Sequence, residues 1–78
     1  MKYGVTTDLS AEKVVGKAIE FFKKNGLEVK AEGPGNVHLE SSSGYVDLQV
    51  CGEGPVEVDI ETKEYDAQVK RFIQRIGF

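Results

Sequence analysis

The sequence predicts an α+β protein in the order β-α-β-β-β-β-α: a single-layer antiparallel sheet of five strands with both helices on one of its faces. Three observations predict it. The stretch "LSAEKVVGKAIEFFKKNG" repeats apolar residues at helical spacing and carries start and stop signals at its ends. From Leu27 the apolar period switches to two and holds through four successive runs, broken only by short Gly, Pro and Ser segments. The last segment returns to helical spacing.

The opening "MKYGVTT" places Tyr3 and Val5 on one side and Lys2, Gly4 and Thr6 on the other, the pattern of a half-buried strand, β1. In the first helix, α1, Ser10 can accept a bond from an early helical N–H, Leu9 can staple onto Val14, and Gly26 can end the helix in a left-handed conformation. At 100° per residue, Ala11, Val14, Val15, Ala18, Ile19, Phe21 and Phe22 share one arc, leaving Lys13, Gly16, Lys17, Glu20, Lys23 and Lys24 to solvent. The runs "LEVKAE" (residues 27–32), "NVHLES" (36–41), "YVDLQVC" (45–51) and "VEVDIET" (56–62) are strands β2 to β5. Their short connections force antiparallel neighbours, because a parallel return needs a crossover of about a dozen residues. In the last helix, α2, Val69, Phe72, Ile73 and Ile76 form an apolar stripe, with Thr62 or Asp66 as candidate caps and Gly77 as terminator.

Each strand is apolar on one side only, so both helices must cover that side and the other meets water. No strand follows α2, which excludes a ferredoxin-like arrangement. The element order resembles the TBP-like or helix-grip architecture, with β1 at the edge beside β5 and sheet order 1-5-4-3-2. The resemblance spans residues 1–78 as one domain, rests on topology rather than on a sequence motif, and implies no function by itself.

At 78 residues, folding buries about 60% of the unfolded chain's surface, which leaves room for one thin core and no deep cavity. The single cysteine, Cys51, allows no internal disulfide, no secretory leader pattern opens the chain, and no apolar run approaches the ~20 residues of a membrane span. A soluble cytoplasmic protein without a cofactor and without membrane contact is expected. The abundance of Lys and Glu beside five Asn and Gln together and no Trp is a bias shared with hyperthermophile proteins.

The net charge of −3 opposes nonspecific attraction to polyphosphate, yet it averages two unlike surfaces. Outward positions of β2 to β5 collect Glu28, Glu32, Glu40, Asp47, Glu57, Asp59 and Glu61 against Lys30, a formal charge of −6 with His38 neutral. Each helix carries +2. Turn lengths predict Val29 beside Leu39, Lys30 beside His38 and Glu28 beside Glu40. They place His38 opposite either Asp47 or Gln49, and they set Asp47 beside Asp59, Gln49 beside Glu57 and Tyr45 beside Glu61. The edge strand β2, with Glu28, Lys30 and Glu32 outward, is guarded against strand pairing.

This pattern makes Glu40, Asp47, Glu57, Asp59, Glu61 and His38 a candidate docking face for a basic protein patch, for which only complementary potential is required. The plainer reading is that an acidic sheet face keeps the protein soluble. Asp47 and Asp59 are weak candidates for a divalent cation, because calcium takes about six to eight oxygens and a flat sheet offers few. Nucleic acid could meet Lys13, Lys17 and Lys24 on α1 or Arg71 and Arg75 on α2. The sheet itself is unsuited to DNA in the manner of the TATA-binding domains it resembles, because minor-groove binding uses cations and apolar wedges where this chain has carboxylates. Cys51 and His38 could form a thiolate and base pair, but no oxyanion donor or third orienting group accompanies them, so no enzyme is expected. Gly16 lies in an exposed helix interior, which favours alanine by about 1 kcal/mol, and could permit a close contact there.

Overall fold

Seven elements follow the predicted order in the computed structural model, which describes residues 1–52 and 55–77. They are β1 (Lys2–Thr7), α1 (Ala11–Lys24), β2 (Glu28–Gly33), β3 (Asn36–Glu40), β4 (Tyr45–Cys51), β5 (Val56–Lys63) and α2 (Asp66–Ile76). The strands form one antiparallel sheet in the order β1-β5-β4-β3-β2, as expected.

Local chemistry sets the helix ends. The Ser10 side chain accepts the Lys13 N–H at 3.2 Å and starts α1. At the other end Gly26 adopts φ 91°, so its N–H reaches the Phe22 turn at Lys23 O (3.1 Å) while Leu27 N–H reaches Phe22 O (3.1 Å). These two bonds satisfy carbonyls that the helix leaves open, and they turn the chain into β2. The expected caps of α2 are not used. Thr62 belongs to β5 and spends its hydroxyl on Tyr45 O, donating at 2.8 Å. Asp66 is the first helical residue and accepts the Tyr3 hydroxyl at 2.8 Å. Tyr65 holds the cap position with no side-chain bond to the helix, its hydroxyl pairing instead with that of Ser41, and Gly77 ends the helix at φ −76°, outside the left-handed region.

Val37, Leu39, Val46, Leu48, Val50, Val56, Val58 and Ile60 form the inner sheet face, and Val14, Val15, Ala18 and Phe22 from α1 with Val69, Phe72 and Ile76 from α2 close over it. The rings of Phe22 and Phe72 meet at 5.4 Å between the helices. Ile73, expected on the same sealing stripe, is only half-buried.

Two registers depart from the turn-length reading. Between β2 and β3, Glu28 opposes Glu40 and Val29 opposes Leu39 as predicted, but a bulge follows, so Ala31 rather than Lys30 stands opposite His38. The extra residue reverses the sidedness of the rest of β2. Ala31, expected inside, is exposed, and Glu32 moves to the helical side, where it borders a depression with Glu12, Val15 and Gly16. Between β4 and β5 the pairing is displaced by two residues: Asp47 opposes Glu61, Gln49 opposes Asp59, Cys51 opposes Glu57 and Tyr45 opposes Lys63. β4 runs to Cys51, as the run 45–51 predicts; the connection to β5 contains Glu53 and Gly54, which lie outside the described residues.

Candidate binding face

The period-two alternation buries the valines and leucines, and among the described residues no helix lies over the opposite side of the sheet. Reading across the strands, one row runs Ala31, His38, Asp47, Glu61, Lys2, and a second runs Glu28, Glu40, Tyr45, Lys63. A third runs Asn36, Gln49, Asp59, Gly4, and a fourth Cys51, Glu57, Thr6. Of the two registers open for His38, the structure has the one that faces Asp47.

His38 and Tyr45 form the centre. Their rings stack with centroids 5.7 Å apart and planes inclined by 25°. His38 Nε2 lies 3.0 Å from Glu40 Oε1, and because a carboxylate has no proton to give, Nε2–H donates. Nδ1 lies 3.9 Å from Asp47 Oδ2, so the imidazole sits between two carboxylates. The Tyr45 hydroxyl donates to Glu61 Oε2 at 2.8 Å, while Lys2 Nζ approaches the other oxygen of Glu61 at 3.9 Å. The hydrogen bond to Glu61, together with desolvation and the negative charges of Glu61 and Asp47, holds the Tyr45 phenol above its ordinary value. One chain of contacts therefore joins Lys2, Glu61, Tyr45, His38 and Glu40. This aromatic centre went unseen in the sequence, where Tyr45 read only as an outward residue at the start of β4; its spacing from His38 becomes diagonal in the Asp47 register alone.

The face is less acidic than its strands predict. Glu32 leaves it through the bulge, while Lys2 and Lys63 join Lys30 on it. Glu28 and Glu40 stand opposite each other, but Lys30 Nζ lies 3.3 Å from Glu28 Oε2 and His38 serves Glu40. Exposed pairs of this kind contribute about 0–1 kcal/mol each, so they leave the carboxylates free to exchange partners.

The predicted pairing of Asp47 with Asp59 is not formed; the two are diagonal neighbours beside a shallow depression bordered also by Lys2, Tyr3, Gln49 and Glu61. Among the described residues, no three His, Cys, Asp or Glu side chains gather into a metal-binding group. Cys51 is exposed at the end of β4, opposite Glu57, and lies four positions along that strand from the residue that faces His38. Four residues of strand span about 13 Å, which separates the thiol from the imidazole. The helix cations divide as well. Lys17, Lys24 and Arg75 line a groove between α1 and α2 whose floor is Phe21, Phe72 and Ile76, and the Arg75 guanidinium lies 5.2 Å from the Phe21 ring centre. Lys13 and Arg71 are exposed outside that groove.

No helix among the described residues is long and apolar enough to cross a membrane. No protein-family model matches the chain, and no curated protein matches it in sequence.

Proposed function

We propose that the protein is a non-catalytic binding module whose open sheet face docks a basic surface of a partner protein. The observation that carries this reading is the uncovered stacked pair of His38 and Tyr45, ringed by Glu40, Asp47 and Glu61 with Asp59 and Glu57 beyond. An aromatic side chain gives a docking surface a rigid anchor, and the surrounding carboxylates supply the complementary potential that selects and orients a cationic partner. The helices on the opposite side present Lys13, Lys17, Lys23, Lys24, Lys70, Arg71 and Arg75, so a basic partner is steered toward the sheet and away from the back. The separation of Cys51 from His38 favours binding over catalysis.

The test is an amide-shift titration of the labelled protein with a short peptide of alternating lysine, arginine and glycine, run beside calcium, magnesium and a short DNA duplex. Shifts at His38, Tyr45, Asp47, Asp59 and Glu61 with the peptide support the reading. Shifts confined to Lys17, Lys24 and Arg75 with DNA, and none on the sheet with the peptide, replace it by nucleic-acid binding at the helices.

A further inference from the structure

The two edges of the sheet are built differently. In an antiparallel pair, residues directly opposite alternate between exchanging both main-chain bonds and exchanging none. Met1 N–H donates to Thr62 O at 2.7 Å and Thr62 N–H to Met1 O at 2.9 Å, so that pair is of the bonded kind. Along the register Tyr3–Ile60, Val5–Val58 and Thr7–Val56, the odd residues of β1 therefore turn their main-chain groups toward β5. Lys2, Gly4 and Thr6 turn theirs to the free edge, where no described strand meets them. The other edge, β2, is disrupted by the bulge at Lys30 and Ala31 and carries Glu28, Lys30 and Glu32. Bulges and charges of this sort block strand addition. β1 has no bulge, no proline and no charged residue on its inner side.

We propose that β1 pairs antiparallel with β1 of a second copy of this chain, about a two-fold axis at Gly4, joining two five-stranded sheets into one. The strand is self-complementary in this register. Gly4 meets its own counterpart, where the absence of a side chain lets the backbones close up. Lys2 stands opposite Thr6 of the second copy and Thr6 opposite its Lys2, so no like charges face one another. Each of the three bonded pairs supplies two main-chain hydrogen bonds. On the inner side, Tyr3 falls beside Val5 of the second copy. Tyr3 and Val5 are half-buried at the unpartnered edge, and half-buried Ile73 lies on α2 beneath, so the pairing covers apolar surface that one copy leaves partly wet. A symmetric contact of this type closes on itself at two copies, and the guarded β2 edge stops further growth. The dimer carries two of the acidic faces side by side on one surface, which is independent of what those faces bind.

Sedimentation equilibrium of the intact protein over a wide concentration range tests the proposal, with substitutions at Thr6 giving it a sign. Thr6 is exposed and stands opposite Glu57 within one copy. Thr6→Lys therefore improves the single copy but sets lysine against Lys2 of its mate; Thr6→Glu does the reverse. Two symmetric cross-strand pairs change together, so each substitution shifts the dimer dissociation constant by about two- to thirty-fold, Lys weakening and Glu tightening. Thr6→Pro removes a donor that one copy does not use and abolishes the dimer. Hydrogen exchange adds the register: the amides of Lys2, Gly4 and Thr6 slow as concentration rises. A monomer at every concentration overturns the proposal. So does a dimer in which those three amides exchange freely, or one that Thr6→Lys tightens.

Discussion

Replacing Gly44 by alanine tests the pairing on which the composition of the open face depends. Gly44 precedes β4, where Tyr45 opposes Lys63. A Cβ added at Gly44 would collide with Lys63 O and stand 2.9 Å from Lys63 C, both of them main-chain atoms, with Glu64 Cβ at 3.0 Å. Main chain cannot swing aside as a side-chain tip can, so the β5 end must shift, or the turn closed by the Ser41 N–H to Gly44 O bond (2.9 Å) must open. Gly44 is not in the left-handed region, so alanine suits its own backbone and the contact alone sets the cost. Overpacking of this kind costs about 1–3 kcal/mol, occasionally more. In a protein of this size that lowers the melting temperature by roughly 5–20 °C. Thermal unfolding followed by far-ultraviolet circular dichroism reads the change. An unaltered melt refutes the pairing, because Lys63 would then not lie against Gly44, and the row that places Asp47 opposite Glu61 would lose its support.

The same substitution at Gly16 has the opposite sign: an added Cβ meets nothing within 4 Å, and alanine stabilises a helix interior by about 1 kcal/mol, so the melting temperature rises. Phe72→Ala removes a side chain that is 1% exposed at the junction of both helices with the sheet and costs about 3–5 kcal/mol, read from denaturant midpoints. Ile73→Ala costs less, because that side chain is half-buried. Tyr3 and Tyr45 are both held above the ordinary phenol value, first by their bonds to Asp66 and Glu61. A phenol raised on folding adds stability that is complete below pH 10 and lost as the pH climbs through the raised value. Phenolate absorbance should therefore lag in the folded protein, and Glu61→Gln should bring Tyr45 back toward its ordinary value while leaving Tyr3 unchanged.

Patterning made the helices, the strand order and the buried side of the sheet legible, because each apolar residue could be covered in one way only. Alternation cannot count by twos, however. Shifting β5 by two residues against β4 leaves every valine inside, so the choice of Glu57 rather than Asp59 as the partner of Gln49 rests on turn length alone. The bulge was hidden for a similar reason: "EVKAE" reads as an unbroken alternation, and nothing in Lys30 marks the extra residue that turns Glu32 to the other side. The alternation puts Lys2 on the outward side of β1, but only the pairing with Glu61 brings it to the acidic row, and Lys63 lies one residue beyond the run that predicts β5, where pairing rather than pattern decides its place. Thr62 and Asp66 have the chemistry of caps, but long-range bonds to Tyr45 and Tyr3 claimed both.

The most direct measurement is the affinity of the lysine and arginine peptide, by calorimetric titration at low salt, for the wild-type protein and for the triple variant Asp47→Asn, Asp59→Asn, Glu61→Gln. Glutamine at position 61 keeps an acceptor for Tyr45, and neutralising both Asp47 and Glu61, which stand opposite each other, spares the fold a repulsion. Three exposed charge pairs at about 0.5 kcal/mol each amount to about a tenfold loss of affinity, which added salt should erase by weakening the wild type. Equal affinity of the two proteins would contradict a docking role for the open face.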